Sequence, residues 1–252
     1  MVNKHILLTG AAGRIGSTFF ETTQLPFRFR LTDLANKTLA VSAPHEFVTA
    51  NLRDKEQCVA LCKDIDTVVH LAGIPSADAS FEDVLADNML VTHNIFQAAL
   101  ENNCERVIVA SSAQATEAYP VDVQVNHTMP VRPKNLYGVS KCFVEALASY
   151  YATEQQLSAI ALRIGAFEFP DDHNLVTTRD FSAFLSPDDA CHLLERCVLA
   201  EDISFFIGHG ISDNRFKRLD LSETTRVLGY DPKDDAFSMF DVQIDKLTPK
   251  KS

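Results

Sequence analysis

Short aliphatic runs recur along the chain, and between them apolar residues fall three and four apart. Runs at 4–9 (KHILLT), 27–31, 46–50, 67–70, 106–110 and 158–164 predict strands. Helices are predicted over 14–25, where Ile15, Phe19 and Phe20 share a stripe, up to Cys62, over 88–101, where Ile95, Phe96 and Ala99 do, and over 137–154. A further helix follows Ser186, a suitable N-cap, with Pro187 in its first turn and Asp188 and Asp189 facing its positive end. Strand alternating with helix predicts an α/β fold: a doubly wound parallel sheet covered on both faces. Right-handed crossovers then place ligands at the carboxyl ends of the strands. Residues 1–165 are expected to form this core, and residues 166–252 a smaller substrate-binding portion packed on it. The segment 113–136 holds three prolines and no periodicity, and is expected to shape or cover the ligand edge. The tail KLTPKKS reads as a solvated end.

Composition narrows the class. A hydrophobic content of 46% supports a large core and excludes a disordered chain. The net charge of −11 argues against a nucleic-acid or anionic-membrane surface, so an anionic substrate would need a local cation. No apolar run reaches the ~20 residues of a membrane span. The first strand follows the N-terminus without a signal-peptide pattern, so a cytoplasmic location is expected. The six cysteines form no Cys-x-x-Cys pair and read as small buried thiols. The histidines show no ligand spacing, and no metal is expected.

Three of the nine glycines, Gly10, Gly13 and Gly16, lie between the first strand and the first helix. Glycine permits a sharp turn and a close approach, and the N–H groups at the helix start, around Arg14 and Ile15, suit a phosphate. Asp33 ends the second strand, where a carboxylate accepts hydrogen bonds from an adenosine ribose and repels a 2′-phosphate. NAD is therefore expected rather than NADP. Asn51, Leu52 and the run Ala72, Gly73, Ile74 end the next two strands and leave room for the cofactor, with Asn88 starting a helix on the same edge.

A second run, YGVSK, sets Tyr137 and Lys141 four apart on one helical face. A phenol of pKa roughly 10 needs a neighbouring cation to act as a base near neutral pH. Ser111 and Ser112 end the fifth strand, where a hydroxyl can steady a substrate oxygen. No Gly-x-Ser-x-Gly elbow is present, which speaks against a serine hydrolase.

The glycine loop, Asp33, Ser112 and the Tyr137/Lys141 pair, in this order, resemble the extended short-chain dehydrogenase/reductase family, the NAD-dependent epimerase/dehydratase superfamily. The resemblance implies Ser112, Tyr137 and Lys141 as the catalytic set, with Tyr137 moving the proton. LYGVSKCF, LRIGAF, FLSPDDA and LGYDPKDD are most similar to the uronate dehydrogenase branch, which oxidises C1 of a hexuronic acid with NAD to a lactone. That likeness implies Arg179 as a grip on the substrate carboxylate. It departs at Ala113-Gln114, where the branch has Asn-His, at Ala166, where it has Ser, and at Pro75, where it has Ser, although Ser76 is adjacent. Pro75, Ser76, Ser112, Ala113, Gln114, Ala166 and Arg179 are thus the expected substrate side, and the exact sugar stays open. The resemblance also suggests a homo-oligomer paired through the helices of Tyr137 and Asn88. Two other readings remain at this stage: a nucleotide-sugar epimerase or dehydratase, for which the 87 residues after Gly165 are few, and a non-catalytic NAD sensor.

Overall fold

Each aliphatic run becomes a strand of one sheet. The computed structural model describes residues 4–37, 39–172 and 174–240. The chain runs β1 (His5–Thr9), α1 (Arg14–Thr22), β2 (Arg28–Asp33), β3 (Glu46–Thr49), α2 (Lys55–Cys62), β4 (Thr67–His70), α3 (Phe81–Val84), a π turn (Leu85–Leu90), α4 (Val91–Glu101), β5 (Arg106–Ser112) and a 3-10 turn (Ala113–Thr116). It continues through α5 (Leu136–Glu154), β6 (Ser158–Ile164), β7 (Ala166–Phe167), α6 (Thr178–Ser182), β8 (Phe184–Leu185), α7 (Pro187–Leu199), β9 (Phe205–Gly210), α8 (Ser222–Leu228) and α9 (Ala236–Met239).

The seven-stranded sheet is parallel, in the order β3-β2-β1-β4-β5-β6-β9. Strand order reverses between β1 and β4, and a doubly wound sheet opens its ligand crevice at that point. Side chains alternate between two cores, as the pleat requires. Ile6 and Leu8 of β1 join Phe29, Ile108 and Leu162 beneath α1 and α7. Leu7 joins Val68, Val107 and Ala161 beneath α2, α4 and α5. β9 lies beyond residue 165 and completes the sheet beside β6, while β7 and β8 form a separate parallel pair. No helix of the described residues is long and apolar enough to cross a membrane.

Local chemistry moves several boundaries. The helix expected from Asn88 starts at Phe81, because Ser80 and Asp83 close a capping box. It then continues through the π turn, so Asn88 lies inside it. The first helix stops at Thr22, and the Thr23 hydroxyl accepts the Leu25 N–H at 3.3 Å as the chain turns toward Pro26. β2 extends to Asp33, whose ladder partner is Thr49. α5 begins with Asn135 as N-cap. The segment 113–136 is irregular after its 3-10 turn, but it is pinned. Arg218 donates to the carbonyls of Tyr119 (2.9 Å), Pro120 (2.6 Å) and Val123 (2.8 Å). The tail KLTPKKS lies outside the described residues.

One buried ion pair fixes α5 across two strands. Arg163 of β6 donates from Nε to Glu145 Oε1 at 2.8 Å and from Nη2 to Oε2 at 2.9 Å, with side chains 2% and 4% exposed. Ser111 of β5 donates to the same Oε1 at 2.6 Å. Burying charge is costly unless each group keeps its partner, so this pair restricts where α5 can sit. Lys141 and Tyr137 lie one and two turns upstream of Glu145 on the same face. Glu145→Leu leaves Arg163 buried without its counter-charge and is expected to lower the unfolding free energy by about 3–5 kcal/mol. The double variant Glu145→Leu/Arg163→Met should recover most of that in urea denaturation. A single variant within about 1 kcal/mol of the native chain, the worth of a surface pair, would show that the ion pair does not hold α5.

Candidate active site

The glycine run forms the turn from β1 to α1. Gly10 adopts φ of +66°, and a Cβ there would lie 2.8 Å from the Ala72 nitrogen, so both the left-handed backbone and the close approach to the end of β4 require glycine. A Cβ on Gly16 would meet the Gly10 carbonyl oxygen at 2.4 Å, so α1 seats on the loop through its absence. Gly13 caps α1 without a side chain, and the first turn carries no acidic residue. The N–H groups of Arg14, Ile15 and Gly16 thus have no acceptor within their own helix and, with its dipole, suit a phosphate. Asp33 is fixed at the rim: Oδ2 accepts the Ala12 N–H at 3.0 Å and Oδ1 the Leu34 N–H at 2.8 Å. Free lone pairs remain for ribose hydroxyls. This donor and acceptor set fits a dinucleotide, with pyrophosphate at α1 and ribose at Asp33.

The chemical groups meet at the neighbouring edge. Ser112 ends β5 and is 8% exposed, and its Oγ accepts the Gln114 N–H at 3.2 Å. Tyr137 lies in the first turn of α5. A Cβ on Gly138 would lie 2.5 Å from the Gln114 carbonyl oxygen, so this glycine lets the helix close onto the turn that leaves Ser112. Asn135 secures the same corner, accepting the Gly138 N–H at 2.8 Å and donating to Gln114 Oε1 at 3.0 Å. Lys141, 7% exposed, donates from Nζ to the Ala110 carbonyl at 2.8 Å and stands 5.5 Å from the Tyr137 ring centre.

Burial dominates the ionisation of these groups. It raises the Tyr137 pKa, and the Ser112 hydroxyl, as a hydrogen-bond partner, draws it part-way back. The four-residue spacing to Lys141 predicts a lowered phenol, but dehydration dominates and the opposing pull comes from Ser112. Burial also lowers Lys141 to about 8. His70 bridges the hydroxyls of Thr9 (2.7 Å) and Thr92 (3.1 Å), and burial, aided by the Lys141 charge, lowers it to about 3. It is therefore a neutral rivet between β4, β1 and α4.

The sequence pattern of the NAD dependent epimerase/dehydratase family matches residues 6–187. The chain belongs to this family. A uronate dehydrogenase of Pseudomonas putida is 33% identical over 230 residues, covering 91% of this chain and 84% of the relative. An L-arabinose 1-dehydrogenase (NAD(P)(+)) of Haloferax volcanii is 31% identical over 251 residues, covering 92% and 97%. The crystal structure of a mutant uronate dehydrogenase from Agrobacterium tumefaciens complexed with NAD superposes with a TM-score of 0.84 at 31% identity, over 100% of this chain and 92% of that one.

Within this epimerase/dehydratase frame the other expected site residues divide. Ala72 and Gly73 stand at the crevice end of β4, with the Ala72 N–H directed to Thr9 Oγ1 at 3.3 Å. The Asn51 N–H donates to Gln57 Oε1 at 2.9 Å, and Leu52 is 7% exposed, its carbonyl accepting from Asn94 at 2.9 Å. Asn88 is 1% exposed, and its amide is committed to both Ile74 backbone groups and to Ser140. It braces the loop from behind instead of facing the crevice. The Arg14 guanidinium reaches Glu168 (2.7 Å) and Asp172 (2.6 Å) of the C-terminal portion. Pro75 is exposed, while Ser76 Oγ accepts the Asp78 N–H at 3.2 Å. Ala113 is buried and offers no polar side chain, and the Ala166 N–H donates to the Ala183 carbonyl at 2.7 Å.

Arg179 departs furthest from expectation. The Nε–Nη2 edge of its guanidinium is taken by Glu117, Nε to Oε1 at 2.9 Å and Nη2 to Oε2 at 2.5 Å. That edge is therefore already paired within the chain. Sequence reasoning also missed Asn135, Glu145, Arg163 and Glu117. An Asn just before an apolar helical run is a readable N-cap. The pairings of Glu145 and Glu117 link residues 18 and 62 positions apart, and no local pattern signals those.

Two outcomes test this geometry. A folded Lys141 near 8 against an ordinary 10.5 means that the fold binds this proton less tightly than the unfolded chain. Stability is therefore expected to rise as pH climbs from about 8 toward 10.5. Lys141→Met should raise the unfolding free energy at pH 7 by roughly 2–3 kcal/mol and remove that slope. Unchanged stability would mean that the lysine is not strained. Asp33→Ala should weaken NAD binding about 10- to 100-fold and narrow the gap to NADP, since it removes charge-assisted bonds to the ribose. Equal titration curves for variant and native chain would place cofactor selection elsewhere.

Proposed function

We propose that this protein is an NAD-dependent dehydrogenase that oxidises the C1 hydroxyl of a cyclic sugar or sugar acid to the corresponding lactone. The observation that carries the reading is the meeting of Ser112, Tyr137 and Lys141 at the same carboxyl edge of the sheet as the glycine loop. Relatives named for uronates and for C1 of L-arabinose support the same class of reaction. When bound, the cofactor accepts the hydride that leaves C1. This chain's residues handle the proton and the geometry. Ser112 donates to the C1 oxygen and holds it against the phenol. Tyr137 Oη takes the hydroxyl proton as the carbonyl of the lactone forms. Lys141, held by the Ala110 carbonyl, supplies positive charge under the phenolate.

The segment after β6 supplies the substrate side of the cleft. A reducing, cytoplasmic setting accords with six unpaired cysteines. Two copies pair through the outer faces of the α3–α4 helix and α5, which leave Phe81, Leu85, Leu90, Val139 and Tyr150 exposed.

A panel of aldoses, uronates and sugar phosphates with NAD, followed by NADH absorbance, tests the assignment. At least one is expected to reduce NAD in many-fold excess over enzyme. Tyr137→Phe should lower kcat about 100- to 10,000-fold, the worth of a general base, with NAD affinity retained. Lys141→Met should shift the rising limb of the pH–rate profile upward, because the base then loses its cation. Full activity in Tyr137→Phe would remove the phenol from the mechanism.

A further inference from the structure

The position expected to grip a substrate's acid group already holds one. Glu117 follows the 3-10 turn that leaves Ser112. Arg179 lies on α6, and Ala183, which caps α6, accepts the Ala166 N–H at its carbonyl beside the end of β6. The pair therefore ties the turn that leaves Ser112 to α6. Their contact is bidentate, 2.9 and 2.5 Å, with side chains 19% and 16% exposed, so the pair is enclosed but reachable. The Nε–Nη2 edge of an Arg matches one carboxylate side-on, and here that edge is satisfied from within. Its remaining Nη1 lies 4.0 Å from Asp180. The nearby Arg218 offers no substitute, since its Nη1 and Nη2 serve the carbonyls of residues 119, 120 and 123.

We propose that Glu117 is the residue that sets substrate class here: it occupies the carboxylate position of an acidic sugar, and the site accepts an uncharged aldose. This rests on the reading of the chain as a C1 sugar dehydrogenase. A carboxylate is acceptor-only, and each Glu117 oxygen keeps a lone pair beyond the one that Arg179 uses. An aldose presents hydroxyl donors to those lone pairs. A uronate presents a second acceptor-only anion, which meets like charge and finds the fork closed. Arg179 is then a positioning residue that orients the Glu117 carboxylate.

The test compares matched pairs that share ring and hydroxyl configuration: D-glucose with D-glucuronate, and D-galactose with D-galacturonate, each with NAD. The native enzyme is expected to favour the aldose in kcat/KM by at least about tenfold, the cost of one unfavourable charge contact. Glu117→Gly and Glu117→Gln free the fork in two ways, and each should raise the uronate-to-aldose ratio of kcat/KM at least about tenfold, chiefly through a lower KM for the uronate. A structural role alone would depress both substrates together and leave the ratio unmoved. A native preference for the uronate, or a ratio unchanged in both variants, overturns the proposal while the dehydrogenase reading stands. If no sugar of the panel reduces NAD, the dehydrogenase reading fails and takes this inference with it.

Discussion

A carboxylate and a guanidinium with almost no solvent contact have to remain together, and Glu145 and Arg163 do so across a helix and a strand. With Ser111 as a third partner, they tie α5 to both β5 and β6. Everything proposed for the active site depends on that tie. Tyr137 and Lys141 take their positions from the same helix, and Ser112 is the next residue along the strand that Ser111 anchors. The N-terminal end of α5 is closed independently by the Asn135 cap and by the bare Gly138 against Gln114. A helix fixed at two points three turns apart presents its face with little freedom to slide.

The same burial that fixes the helix sets its chemistry. Dehydration raises the phenol, lowers the ammonium and neutralises His70. A charged lysine in such a place weakens the fold, and sites that do chemistry commonly carry such a cost. In the proposed mechanism it secures a positive charge near the Tyr137 ring, in surroundings where water does not screen it.

The strands and the helix faces were legible from the chain because their signals are local: aliphatic runs, apolar spacing and caps. Gly10 and Asp33 were legible too, because turn chemistry and a strand-end carboxylate sit next to recognisable strands. The π turn at Leu85–Leu90 was not, since nothing in its residues distinguishes it from an α-helix, and Asn88 consequently read as a helix start facing ligand. Arg179 was given as a carboxylate grip by the resemblance alone, and its pairing with Glu117, 62 positions away, leaves no local signal. The phenol read as acidified because spacing reports a neighbouring cation and says nothing of dehydration. In each of these three cases the deciding feature is tertiary and leaves no local signal.

Glu117 turns a family resemblance into a distinction within the family. On our proposal it does so through its ion pair with Arg179. The claim beneath all of it is spatial: the phenol held by α5 faces a dinucleotide seated on the glycine loop. A crystal structure of the NAD complex tests this most directly. The account predicts a nicotinamide ring placed so that one sugar carbon fits within about 3.5 Å of it while that carbon's oxygen reaches both Tyr137 and Ser112. A nicotinamide seated away from α5, or a phenol turned from it, would contradict the account.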